Sequence, residues 1–340
     1  MDQNPIQQYY GETLGGSGDL KTGACCSPLA MPAHLRAWLA ELPQAVTDRF
    51  YGCGSPIPPA LDGATVLDLG CGTGRDAFLV SRLVGTTGRV IGLDMTPAQI
   101  EVARQAQPAH RDQTGLDNLD FREGRIEDLA AAGIADASID VVISNCVLNL
   151  SADKACVFAE ILRVLKPGGE LYFSDIHADR RIPAELLDDP VLRGECLSGA
   201  LYMEDFRRLL LAHGVADSRI TARSPVPLLD AEVEARIGMV TFESITVRAF
   251  KLELEDRCED FGQVATYLGS IAHHPHRFVL DDHHTFERGR PMLVCGNTAS
   301  MLADTRYGAH FEVTARRGHF GLFAACAVAA ADASAAGACC

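Results

Sequence analysis

The sequence predicts an α/β fold: a parallel sheet covered by helices on both faces, followed by a smaller C-terminal α+β domain. Three observations carry this. Short apolar runs alternate with helical patterns from residue 64 to residue 176, as βαβ units do. A glycine-rich turn, Gly70, Gly72 and Gly74, stands where the first run meets the first helix. Beyond residue 230 the alternation gives way to short strands and turns.

Taken in order, residues 1–30 are Gly-rich, polar and irregular, with the pair Cys25–Cys26. Pro32 to about Arg49 reads as one helix, with Leu35, Trp38, Leu39 and Leu42 at helical spacing and Pro43 placed to interrupt it. Strands are expected at 64–70, 89–95, 119–124, from 140, and at 170–176. Helices are expected at Arg75–Leu83, from Pro97 to about Gln107 with Thr96 as N-cap, and at Asp153–Leu165, ended by Lys166-Pro167-Gly168-Gly169. A further helix covers Met203–His213. The two prolines of residues 224–230 suggest a boundary. The resulting division is 1–60, a thiol-bearing segment and helix; 61–226, the α/β domain; 227–323, the α+β domain; and 324–340, an Ala-rich tail ending in Cys339–Cys340.

The chain has 340 residues, 47% apolar and 22% charged, which suits about two globular domains and excludes a mainly disordered chain. Acids outnumber bases 45 to 30, so nucleic acid and anionic membrane are poor partners. No apolar run reaches the ~18 residues of a membrane span. The N-terminus lacks a basic region followed by an apolar one, so the chain reads as cytoplasmic. Its twelve cysteines are then unusual, because a cytosol keeps thiols reduced. They allow three readings: buried core thiols, a metal or metalloid site, or redox chemistry. None are spaced C-x-x-C.

The glycine turn sits where open α/β sheets bind ligands, outside the carboxyl ends of the strands. Asp94 ends the second strand twenty residues beyond Gly74, where an acid accepts hydrogen bonds from ribose hydroxyls. A dinucleotide fingerprint needs G-x-G-x-x-G. Its last position here is Arg75, so that reading fails. Val66-Leu67-Asp68-Leu69 followed by G-x-G-x-G instead resembles motif I of the Rossmann-like class I S-adenosylmethionine (SAM) methyltransferases. The resemblance implies that Asp68, Gly70, Gly72 and Gly74 hold the aminoacyl end of SAM and Asp94 its ribose. Met95, Ile126 and Glu127 would hold the adenine, and Asn145 would lie near the methionyl end.

Cys53, Cys146 and Cys196 fall where such a domain faces its acceptor, and Cys25 precedes them. Thiolates select soft, thiophilic centres. Trivalent arsenic held by thiolates keeps a free lone pair, so it needs no general base. His177 is the nearest candidate base. The segments 20–26, 49–54, 68–78, 92–96, 144–150, 165–175, 194–202, 250–271, 278–302 and 319–323 resemble the arsenite methyltransferases over nearly the whole chain. That resemblance implies that Cys146 and Cys196 bind arsenic directly, with Cys53 as third ligand. Cys25 would form a disulfide during the cycle; the adjacent Cys26 leaves open which thiol of the pair acts. Arsenite and methylarsenite would be substrates and thioredoxin or glutathione the reductant, in arsenic detoxification. Cys339–Cys340 matches thiol-ended tails. Glu195 could contact arsenic or be a solvated acid, and Tyr51 could line the site or the core. Cys71, Cys156, Cys258, Cys295 and Cys326 read as structural thiols. Seven of the eleven histidines lie between His273 and His319, in no defensible metal spacing.

Overall fold

The computed structural model describes residues 31–48 and 52–323. Two helices open it, α1 (Ala33–Leu39) and α2 (Gln44–Thr47). The single helix expected over 32–49 is divided at Pro43, which has no N–H to continue the first helix and instead caps the second.

The sheet then builds through β1 (Thr65–Leu69), α3 (Arg75–Val84), β2 (Arg89–Asp94), α4 (Pro97–Thr114), β3 (Leu119–Glu123), β4 (Ile139–Asn145), α5 (Lys154–Val164) and β5 (Leu165–Ala178). After it come α6 (Pro190–Gly194), β6 (Leu201–Tyr202), α7 (Met203–Ala212), β7 (Ser218–Pro225), α8 (Ala231–Ile237) and β8 (Phe242–Phe250). Strand order is β3-β2-β1-β4-β5-β8-β7, with β6 beside the end of β5. β1 to β5 pair in parallel, and β8 runs antiparallel to β5 and β7. This is the Rossmann-like sheet expected.

Leu67 and Leu69 enter one core with Phe158 and Ile161, while Val66 enters the other with Phe78 and Val141. Neighbours on one strand thus bury into opposite faces, which is why these strands read as mostly apolar rather than alternating.

Several boundaries differ from expectation. α4 runs on to Thr114 with Pro108 inside it, and the Thr96 side chain makes no capping bond. The Asp94 carboxylate accepts the Thr96 N–H instead, at 2.8 Å. Lys166–Gly169 lie within β5 rather than before it, at a register shift against β4. The boundary expected at 226/227 falls between β7 and β8, which are hydrogen-bonded partners in one sheet.

The C-terminal part holds β9 (Gln263–Tyr267), β10 (Arg277–Val279), β11 (Thr285–Glu287), β12 (Pro291–Val294), α9 (Gly296–Ala303) and β13 (Phe311–Val313). β12, β9 and β13 form one antiparallel sheet, and β10 and β11 a hairpin, around Tyr267, Phe278, Phe286, Tyr307 and Phe311. A buried ion cluster joins it to the large sheet. Glu170 of β5 pairs with Arg248 of β8 and with Arg306. Arg248 also donates to the Leu280 carbonyl at 2.6 Å. Removing one member would leave an uncompensated buried charge. No helix among the described residues is long and apolar enough to cross a membrane.

Candidate active site

α3, which follows β1, packs in one core, and α5, which follows β4, packs in the other. The connections leaving these adjacent strands therefore part to opposite faces, which opens a crevice at their carboxyl ends. A pocket lies there. It is lined by the glycine turn, the ends of β2 and β4, and the turn after β3, and it includes Asp68, Gly70, Gly72, Asp94, Met95, Ile126, Glu127, Asn145 and Cys146.

Gly70 and Gly72 have φ of +69° and +54°. A Cβ on Gly70 would lie 2.3 Å from Val147 Cγ2, whereas one on Gly72 would meet nothing within 4 Å. Gly72 therefore presents bare backbone to the pocket. Gly74, expected beside them, stands outside the pocket wall: it caps α3 and packs against Phe121. The Asp94 carboxylate accepts the Gly72 N–H at 2.9 Å, so the acid at the end of β2 shapes the turn. A carboxylate has further lone pairs for a ligand.

The wall carries the carboxylates of Asp68, Asp76, Asp94 and Glu127 against one guanidinium, that of Arg75. Asp68 is buried and its Oδ2 has no hydrogen-bond partner. Burial, then Asp76 and Asp94, push its pKa well up. A cationic ligand would relieve that repulsion.

Asn145 does something the sequence did not suggest. Its Oδ1 accepts the N–H groups of Cys53 and Gly54 at 3.0 and 3.1 Å, and its Nδ2 donates to the Gly54 carbonyl and to Asp76 Oδ2 at 2.9 and 3.0 Å. Ser244 Oγ donates to the Cys53 carbonyl at 2.8 Å. A Cβ on Gly54 would lie 2.1 Å from Ser174 Oγ, so only glycine lets this segment lie against β5. These contacts fix Cys53 beside the tip of β4, where it forms a disulfide with Cys146.

Cys196 joins them: its Sγ donates to the Cys146 carbonyl at 3.4 Å. Cys146 and Cys196 both have left-handed backbones, φ +56° and +59°, which for non-glycine residues costs about 1–3 kcal/mol each and concentrates at functional sites. The structure thus brings together Cys53, Cys146 and Cys196, and joins two of them. An Asp175 carboxylate oxygen and the sulfurs of Cys53 and Cys146 all lie within 4.8 Å of one another. Burial raises the Asp175 pKa to about 7 against hydrogen bonds from the Ile176 and Asn149 backbones. Sequence reading missed this acid, although it stands in the quoted 165–175 segment.

Glu195 is buried, so the solvated alternative falls away. Cys71 is buried but stands in the pocket wall. Cys156 donates to the Glu127 carbonyl at 3.2 Å, which fixes the turn that carries Glu127. His177 packs on Phe206 with ring centroids 5.2 Å apart. Burial lowers its pKa to about 4, away from the range of a useful base. Among the C-terminal histidines, His284 pairs with Asp281 at 2.8 Å. Among the described residues no histidine belongs to a group of three or more potential metal ligands. Cys25, Cys26, Tyr51, Cys326, Cys339 and Cys340 lie outside the described residues.

A family model described as a methyltransferase domain matches residues 60–214, and one described as the arsenite methyltransferase C-terminal domain matches residues 261–340. The chain is 50% identical to an arsenite methyltransferase of Aquipseudomonas alcaligenes, over 94% of this chain and 93% of that one. It is 40% identical to an arsenite methyltransferase of Mus musculus, over 91% and 82%. A crystal structure of an arsenic(III) S-adenosylmethionine methyltransferase from Chlamydomonas reinhardtii superposes with a TM-score of 0.83 at 49% identity, covering 86% of this chain and all of that one. With the glycine turn, the acidic pocket and the gathered cysteines in place, this chain belongs to the SAM-dependent arsenite methyltransferases.

Proposed function

We propose that the chain methylates trivalent arsenic held on the thiolates of Cys146 and Cys196, with Cys53 as third ligand, and that cysteine oxidation returns the arsenic to its trivalent state. The observation that carries this is the meeting of Cys53 and Cys196 at Cys146, which lines the pocket.

The pocket suits SAM. Its acidic wall and the unpartnered Asp68 Oδ2 match an ammonium and a sulfonium, and bare Gly72 leaves room for close approach. Asp68, Gly70 and Gly72 are assigned to the aminoacyl end, Asp94 to the ribose, and Met95, Ile126 and Glu127 to the adenine. When bound, SAM supplies an electrophilic methyl group.

Arsenite exchanges its hydroxyls for cysteine sulfurs, each thiol proton leaving with hydroxide as water. The arsenic lone pair then points away from the sulfurs and takes the methyl, so that arsenic becomes formally pentavalent. Two cysteine thiolates return two electrons to arsenic and become a disulfide. The Cys53–Cys146 disulfide is the two-electron oxidised form of two proposed ligands, which supports this step. Cys25 is assigned as the thiol that exchanges with the pair. Thioredoxin or glutathione then restores the thiols by thiol–disulfide exchange. The biological role proposed is arsenic detoxification.

A single-turnover experiment tests this. Reduced protein, freed of reductant, receives one equivalent of arsenite and excess SAM. One methyl group on arsenic and one new disulfide per chain are expected. Methylation with no new disulfide would overturn the redox step, and no methylation the whole assignment.

A further inference from the structure

Cys258 and Cys295 lie outside the methyl-transfer site, and in the sequence both read as structural thiols. Their surroundings give them a different character. Cys295 follows β12 and caps α9, and its sulfur occupies the place usually taken by a Ser, Thr or Asp oxygen. The Thr298 N–H reaches it at 3.5 Å, Thr298 Oγ1 lies at 3.3 Å, and Arg219 Nη2 of β7 lies at 4.0 Å. Cys258 interacts with the same sulfur. Beside them the Gly296 N–H donates to the Glu259 carbonyl at 2.8 Å, which holds the two cysteine-bearing segments in register. Cys295 is 1% exposed, whereas Cys258 is half-buried.

We propose that Cys258 and Cys295 form a second, redox-active thiol pair that exchanges with low-molecular-weight thiols and disulfides. The interaction with Cys258, then the hydrogen bonds from Thr298 and the charge of Arg219, pull the Cys295 thiol down against its burial, which favours its thiolate form. In the oxidised pair, an external thiolate attacks the more accessible Cys258 sulfur. The Cys258–Cys295 bond breaks, and Cys295 leaves as the thiolate its donors stabilise, which makes it a fast leaving group. A second external thiolate then displaces Cys258, which takes a proton. Two external thiols become one external disulfide, and the protein disulfide becomes two reduced sulfurs. Arg219 also pairs with Asp281 at 3.0 Å, so the charge that appears on Cys295 faces the junction between β7 and the C-terminal domain. None of this depends on the arsenic chemistry.

The test uses the full chain equilibrated in glutathione buffers of graded poise, quenched in acid, denatured, alkylated and peptide-mapped. A Cys258–Cys295 linked peptide should form and disappear reversibly with a single midpoint. In Thr298→Val, which deletes the hydroxyl while keeping the shape, the disulfide should form at a poise about tenfold more reducing, because the thiolate has lost a donor. Thr298→Ser should restore the original midpoint. Both sulfurs remaining alkylatable at every poise would overturn the proposal. So would a midpoint unmoved in Thr298→Val.

Discussion

Two sulfur clusters in this chain are buried almost alike and bonded in opposite senses. Cys196, 5% exposed, gives its proton to the Cys146 carbonyl. Cys295, 1% exposed, receives the Thr298 N–H and faces Arg219. Burial alone would make both inert thiols. Their settings differ: one sulfur stands at a left-handed turn beside a strand tip, the other at a helix N-terminus where Cys258, Thr298 and Arg219 favour negative charge. The difference suits two chemistries. A thiol that donates to a carbonyl could give its proton to an arsenite hydroxyl leaving as water. A stabilised thiolate is a good leaving group for disulfide exchange.

The largest effect should separate the two clusters outright. Cys196→Ser should lower methyl transfer to arsenite about 100-fold or more, because it removes a group that positions the reacting atom. Cys258→Ser should leave single-turnover methylation at the wild-type level. Arsenic speciation reads both, and equal loss in the two variants would erase the distinction.

A smaller effect tests how the Cys53–Cys146–Cys196 cluster is assembled. Asn145→Ala removes the clamp on Cys53 and Gly54, and should lower stability by about 2 kcal/mol in urea unfolding, as losing buried hydrogen bonds does. An unchanged midpoint would mean that Ser244 and the fit of Gly54 on β5 hold Cys53 without it.

The smallest effect concerns His177. Its folded pKa, about 4, lies below the ordinary 6.5, so the unfolded chain binds more protons between those values. The stability it contributes is present above pH 6.5 and is lost as pH falls towards 4. His177→Gln should flatten the dependence of Tm on pH in that window. It should leave the pH profile of methyl transfer unaltered if His177 is no base.

The parallel half of the sheet was legible because β1, β2 and β4 are buried on both faces and are mostly apolar along their length. The glycine turn was legible because close backbone approach restricts residue type, and Asp94 because it ends β2 at a fixed distance in sequence from that turn. What stayed hidden depends on non-local pairing. β8 inserts between β5 and β7 although it follows two prolines; Pro225 ends β7, an edge strand, where proline is tolerated, and marks no domain boundary. Asp175 is a single acid in an apolar strand, and it comes near the sulfurs through the register that sets Asn145 beside Ser174. Asn145 was placed correctly at the strand end, but its amide is engaged with the Cys53 segment, which no local pattern could reveal.

The sulfurs that hold arsenic can be counted directly. Arsenic K-edge absorption on the fully reduced protein with one equivalent of arsenite counts them. Three sulfur neighbours are predicted in the native chain and two in Cys196→Ser. Three in both would show that Cys196 is no ligand and would contradict the proposed site.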